Sequence, residues 1–181
     1  EKVLNIFPRL IENFNVVIID APSGIEKGFE LMCNNGYFNT NTSDIAKYAD
    51  VSTGIIYQYF NDKKDIFIEG VKNYSDNIMF PMLSVLENNK IEFNNLEKLL
   101  NEMLDVFIKR HTLSEKAHEE MIALSHLDKD IAQIFHDKEI ASTEAIVNVL
   151  NKNSIYSDNL FEKVHIIIGI VEDYCHEVVY H

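Results

Sequence analysis

TSDIAKYADVSTGIIYQYF, residues 42–60, decides the fold of this 181-residue chain. Two short helical patterns are joined by a turn at Asp50, Val51 and Ser52, close to the minimum that lets two helices cross at roughly 90–120°. In the first pattern Ile45, Ala46 and Ala49 recur at spacings of three and four and share one face, with Ala46 small enough for a second helix to lie close. Ser52 stands where an N-cap belongs, because its hydroxyl can accept a hydrogen bond from a backbone N–H about two or three residues on. Ile56 and Phe60, four apart, give the second helix a buried face. Its other side carries Thr53, Gly54, Ile55, Tyr57, Gln58 and Tyr59. Hydroxyl, amide and phenol groups with little charge suit contact with base edges and phosphate oxygens better than they suit solvation alone.

The pattern continues outward from about residue 25, through GYFNTNTSDIAKYADVSTGIIYQYFNDKKDIF at 36–67, to about residue 74. In this register the segment resembles the DNA-binding domain of the TetR family of transcriptional regulators. Gly36 and Tyr37 match the family's break after its first helix, Thr42 the start of its second, Tyr57 and the Tyr59–Phe60 pair its recognition helix, and Lys63 the start of its fourth. Asp50 departs from the glycine more usual in the turn, a position Asp tolerates because it visits left-handed backbone conformations more readily than most residues.

The resemblance implies an all-α protein: a helix-turn-helix DNA-binding domain at 25–74, then a helical effector-binding and dimerisation domain at 75–181. It implies a repressor whose hold on a double-stranded DNA operator is released by a small-molecule effector, acting as a homodimer on a palindrome. Thr42, Tyr57 and Lys63 would hold phosphates, Thr53 and Gln58 would read bases, and Gly54 would let the backbone approach. Ser52 and Tyr59 complete the expected DNA-binding set.

A formal charge of −13 at first opposes a nucleic-acid role, because phosphate neutralisation by Lys and Arg supplies most sequence-independent affinity. Local charge matters more. Residues 36–64 hold three lysines (Lys47, Lys63, Lys64) against three aspartates (Asp44, Asp50, Asp62), so a neutral head adjoins an acidic remainder. Weak non-specific binding with a shallow salt dependence is expected, helix N-termini supplying part of the phosphate contact. No apolar run approaches the ~18 residues needed to cross a bilayer, and no basic-then-apolar leader is read. Cys33 and Cys175, far apart, suggest no disulfide framework, so a cytoplasmic location with no membrane partner is expected.

Beyond the head the periodicity predicts a long helix from Lys63 to about residue 86, kinked or ended by Pro81, and a polar break at 88–90. Further helices are expected at about 93–111, 114–124, 129–151 and 158–179, opened by Ser114 with Glu115, Asp128 with Asp130, and Ser157 with Asp158. Apolar residues at helical spacing, such as Leu96, Leu99, Leu100, Met103 and Phe107, fit a bundle. Met103, Phe107, Met121, His126, Phe135 and Tyr174 are the candidate effector-lining residues, chosen as bulky, adaptable or amphipathic side chains.

Glu172, Asp173, Cys175, His176 and Glu177 include metal-capable groups, with Glu172 and His176 on one side of a helix and His165 seven before Glu172. A metal would need further ligands from elsewhere, so ordinary helix-surface pairing is the expectation and no metal or cofactor is assigned. His111, His118, His136 and His181 read as surface or core histidines. No catalytic set emerges, since Ser125 and His126 are adjacent on a helix and point in different directions.

Residues 1–24 form a separate segment of unassigned role. Residues 16–20 are an apolar, β-branched run ending at Asp20, and 21–24 read as a turn, so the segment suggests a strand leading to a loop. With 25–29 it resembles the strand and acidic loop of MinD-like P-loop ATPases, in which Asp20 would take the magnesium-holding position. The Gly-rich phosphate loop with its lysine is absent from the chain, leaving nucleotide phosphates without a cradle. A nucleotide-dependent ATPase-like switch using Asp20, or a helical protein-interaction module, are the alternatives to a DNA-binding regulator. TetR-like proteins usually end with two long helices that pair across a dimer, and the pattern shows only 158–179 clearly.

Overall fold

The computed structural model describes residues 21–181, with side chains from residue 24. The expected strand at 16–20, the Asp20 magnesium position and all but the end of segment 1–24 lie outside the described residues. Every regular element among the described residues is helical: α1 (Ala21–Asn35), α2 (Thr42–Tyr48), α3 (Thr53–Tyr59), α4 (Lys63–Glu87), a 3₁₀ turn (Phe93–Asn95), α5 (Leu96–Arg110), α6 (Glu115–Leu127), α7 (Lys129–Lys152) and α8 (Leu160–Tyr180). The expected turn at 21–24 is instead helical, within α1.

Local chemistry sets the boundaries. α1 ends at Gly36, whose φ of 91° is a left-handed conformation that only glycine adopts without strain. The buried Thr40 hydroxyl then donates to the Gly36 carbonyl at 3.0 Å and closes the turn. α2 is opened by Asn41, whose side chain accepts from Asp44 N while the Asp44 carboxylate accepts from Asn41 N, each at 3.0 Å, a reciprocal capping box. Ser52 caps α3 as its position suggested, accepting from Ile55 N at 3.3 Å. Asp62 caps α4 by accepting from Lys64 N and Asp65 N.

α4 continues through Pro81 to Glu87, so the proline does not end it. Ser114 and Asp128 cap α6 and α7 as expected. Ser157 does not cap α8: Asn159, left-handed at φ 55°, precedes it without a side-chain cap bond.

Two apolar clusters hold the helices together. The first joins Phe29 and Met32 of α1, Ile45 of α2, Ile56 of α3 and Phe67 of α4 to Leu124 of α6 and Ile131 of α7, so the head's core is continuous with that of the body. The second gathers Ile78 and Met82 of α4, Phe107 of α5 and Cys175 of α8. α4 serves both. Its 25 residues span roughly 37 Å at 1.5 Å per residue, and it therefore acts as the beam between the two parts. α7 and α8, two long helices, pack on each other.

Candidate functional site

α2 and α3 form the helix-turn-helix. Ile45 and Ala46 are buried on one side of the turn and Ile56 on the other, while Val51 N donates to the Ala46 carbonyl at 2.9 Å. Asp50 carries the turn at φ 59°, the left-handed conformation its identity allowed. Anchoring Ile56 inward directs the rest of α3 outward. Tyr57 is 58% and Tyr59 70% exposed, Gly54 and Gln58 are exposed, and Thr42 and Thr53 are half-buried at the starts of their helices.

Lys63 stands apart from this set. Its ammonium donates to the Tyr37 carbonyl at 2.6 Å and to the Thr40 carbonyl at 2.8 Å, and lies 4.3 Å from the centre of the Tyr37 ring. Desolvation there lowers its pKa below the ordinary lysine value. Two of its three donors are thus committed to holding the α1–α2 loop. Lys64 is also engaged, bridging Asp128 at 2.8 Å and Asp130. Of the three lysines at 36–64, Lys47 is the exposed one, and among the described residues it has no ion-pair partner.

Between α4, α5, α6, α7 and α8 lies a cavity of about 500 Å³, within the range of roughly 300–1,000 Å³ that holds small organic ligands. Met103, Phe107, Met121 and Phe135 line it, as does Ile78. His126 and Tyr174 do not: both are exposed, on faces of α6 and α8 turned from the cavity.

One end of the cavity is polar in a way the sequence reading missed. His111 at the end of α5, His118 on α6 and His176 on α8 converge, with ring centres 5.3 Å (His111–His118), 4.8 Å (His111–His176) and 4.3 Å (His118–His176) apart. Phe107 stacks on His111 at 5.0 Å. His111 is only 8% exposed, and among the described residues neither ring nitrogen has a hydrogen-bond partner. An unsatisfied buried donor or acceptor costs about 1–3 kcal/mol. Burial, and then the neighbouring imidazoles, push His111 and His118 down to about 4, and burial lowers His176 as well. Burial thus favours the neutral form of all three rings, in which each imidazole keeps one nitrogen lone pair.

Glu172, also on the cavity wall, is pushed up to about 7 by burial, with Glu139 and Asp173 adding repulsion. His165 belongs elsewhere, 3.2 Å from both Glu139 Oε1 and Thr143 Oγ1. The expected helix-surface grouping of His165, Glu172 and His176 thus divides between two environments. No spacing rule pairs residues 111, 118 and 176, because they meet only through the packing of three helices.

α6 touches both regions. From one side Glu120 accepts the Tyr37 N–H at 2.9 Å and Lys116 donates to the Asn34 carbonyl at 3.1 Å; from the other, His118 and Met121 face the cavity.

This arrangement, a capped α2–turn–α3 unit with an exposed recognition face, coincides with the family model of bacterial regulatory proteins, tetR family, which matches residues 25–69. Residues 25–69 thus carry a DNA-binding domain of the tetR-family type. Among curated relatives it is 42% identical over 69 residues to the HTH-type transcriptional regulator HbdR of Aromatoleum sp. (strain CIB), a match covering 38% of this chain and 28% of that protein. It is 46% identical over 44 residues to the fatty acid metabolism regulator protein of Bacillus subtilis (strain 168), covering 24% and 23%. The matched stretches thus span about a quarter of those relatives. Among solved structures, a transcriptional regulator of the TerR/AcrR family from Aquifex aeolicus VF5 superposes with a TM-score of 0.63 at 21% identity, covering 87% of this chain and 86% of that one. At that identity the likeness establishes the fold, which extends well beyond the TetR DNA-binding segment. Among the described residues no helix is long and apolar enough to cross a membrane.

Proposed function

We propose that this TetR-family chain is a transcriptional repressor that reads a palindromic DNA operator as a homodimer and releases it when a small molecule enters the cavity. The head would be residues 25–74 and the effector and dimerisation part 75–181. The observation that carries the reading is the exposed face of α3, on which Gln58, Tyr57 and Gly54 stand out around the buried Ile56 anchor. Thr53 and Gln58 contact base edges, Gly54 admits the backbone, and Thr42 and Tyr57 hold phosphates.

A dimer is supported by α8, whose Ile166, Ile170, Tyr174 and Val178 recur every four residues and are each 48–63% exposed. An apolar stripe of this length on a helix is what a partner helix covers. Two copies would set two α3 helices in successive major grooves about 34–36 Å apart. The apolar cavity walls support an effector with a largely apolar body, in keeping with a relative named for fatty acid metabolism.

Binding selections from genomic DNA, followed by salt-controlled mobility shifts with variants, test the reading. Gln58→Ala relaxes preference at one or two base pairs, whereas Tyr57→Phe weakens all sequences alike. Operator binding unchanged by both substitutions excludes α3 as the recognition helix.

A further inference from the structure

We propose that His111, His118 and His176 form a binding site for a divalent transition-metal ion of the zinc class, with the ion's remaining coordination position open to the cavity. Each histidine offers one ring nitrogen, and these atoms lie within 4.8 Å of one another. A tetrahedral zinc ion, with Zn–N bonds of about 2.0–2.1 Å, needs nitrogens roughly 3.3 Å apart. The rings must therefore close by up to about 1.5 Å, which rotation of the half-buried His118 and His176 can supply while His111 stays fixed in its packed position.

His111 points most directly to a ligand. It is more than nine-tenths buried, both of its nitrogens lack a partner, and it lies beside two further imidazoles with none of the carboxylate or carbonyl contacts that hold a structural histidine. Imidazole nitrogens select first-row transition metals over magnesium or calcium, which prefer oxygen. Three histidines leave a fourth position free in the pattern of sites that exchange ligands rather than closed structural ones. All three line the cavity, so that position is reachable by water or by a donor atom of a small molecule within it. The three ligands come from α5, α6 and α8, and the ion would draw these helices together next to the Glu120 and Lys116 contacts with the head.

The site is independent of whether the protein binds DNA, and its test is direct. Metal-free, tag-free protein is titrated with Zn²⁺ and with Co²⁺, with Mg²⁺ as the comparison. Zn²⁺ at a hundred times its dissociation constant is expected to raise Tm by about 5 °C or more, and Co²⁺ to develop the visible absorption of a low-coordinate, nitrogen-ligated ion. Mg²⁺ is expected to do neither. His118→Gln and His176→Gln, both at partly exposed positions, each weaken Zn²⁺ binding roughly 100-fold, an effect of the size seen when metal-site residues are changed. His126→Ala, at an exposed histidine away from the cavity, leaves it unchanged. Absence of Zn²⁺ and Co²⁺ binding, or binding equally strong in the folded His118→Gln and His176→Gln proteins, overturns the proposal.

Discussion

Replacing Lys63 by alanine separates two roles that one lysine at the start of α4 can play. Lys63 makes two charged hydrogen bonds, at 2.6 and 2.8 Å, to the carbonyls of Tyr37 and Thr40 and adds a cation–π contact with the Tyr37 ring. Hydrogen bonds to a charged group contribute about 1.5–3 kcal/mol each when buried, and an exposed cation–π contact about 0.5–1 kcal/mol. Partial exposure of the lysine halves the first figure, and water replaces it at the freed carbonyls. A net loss of about 2 kcal/mol follows, or a Tm lower by roughly 4–8 °C for a chain of this size. The α1–α2 loop then loosens, and operator affinity falls because fewer molecules hold α2 and α3 in place. The slope of log affinity against log salt should stay the same, since no phosphate contact is lost.

Lys47→Ala should do the opposite. Exposed and without an ion-pair partner, Lys47 can reach phosphate, so its loss leaves Tm nearly unchanged and reduces the salt slope by about one. Thermal melts and mobility shifts at several salt concentrations give both numbers for both variants. A Lys63→Ala protein that melts with the parent and loses a unit of slope refutes the structural role assigned here.

Gly70→Ala is expected to destabilise the head. A Cβ at that position of α4 would lie 2.6 Å from Phe29 Cδ2 and closer still to Cβ and Cγ, so α1 must shift, at a cost of about 1–3 kcal/mol that a denaturant melt measures. A melt equal to the parent's would mean that α1 and α4 are not so closely packed. Ile170→Asp, at a position 63% exposed in the single chain, should leave the monomer's helical content intact while abolishing dimerisation in sedimentation velocity. Retention of the dimer would move the interface away from the α8 stripe.

The head was legible because its signals are local. Gly36, Ser52 and Asp50 each announce a conformation through their own chemistry, and the positive φ at Gly36 and Asp50 and the cap bond at Ser52 follow from it. The body's helices were legible from apolar period, and four of the six proposed lining residues reach the cavity because they lie on inward faces. Period does not fix which of several partly apolar faces turns inward, and His126 and Tyr174 fall on the other side. Lys63 shows a second limit. Motif position placed it beside the DNA-reading unit but did not show its hydrogen bonds to the Tyr37 and Thr40 carbonyls, which only the folded turn after α1 brings within reach. The histidine cluster shows a third: its members are 7 and 58 residues apart in sequence, so only the packing of α5, α6 and α8 brings them together.

For a ligand in the cavity to release DNA, it must bind one arrangement of the head more tightly than another, and the release cannot exceed that difference. Tenfold release needs about 1.4 kcal/mol and hundredfold about 2.8 kcal/mol. Beside the apolar core that the head shares with α6 and α7, individual polar contacts across the same junction set this scale. Glu120 accepting the Tyr37 N–H is a charged hydrogen bond, worth about 1.5–3 kcal/mol where water is excluded. Lys64 reaching Asp128 and Asp130 ties the start of α4 to the start of α7, with less effect because the pair is solvent-screened. α6 bears Glu120 one turn or less from His118 and Met121, so a ligand that moves the cavity face of α6 moves the head contact with it. Loss of that one bond would match the free energy of a tenfold to hundredfold release.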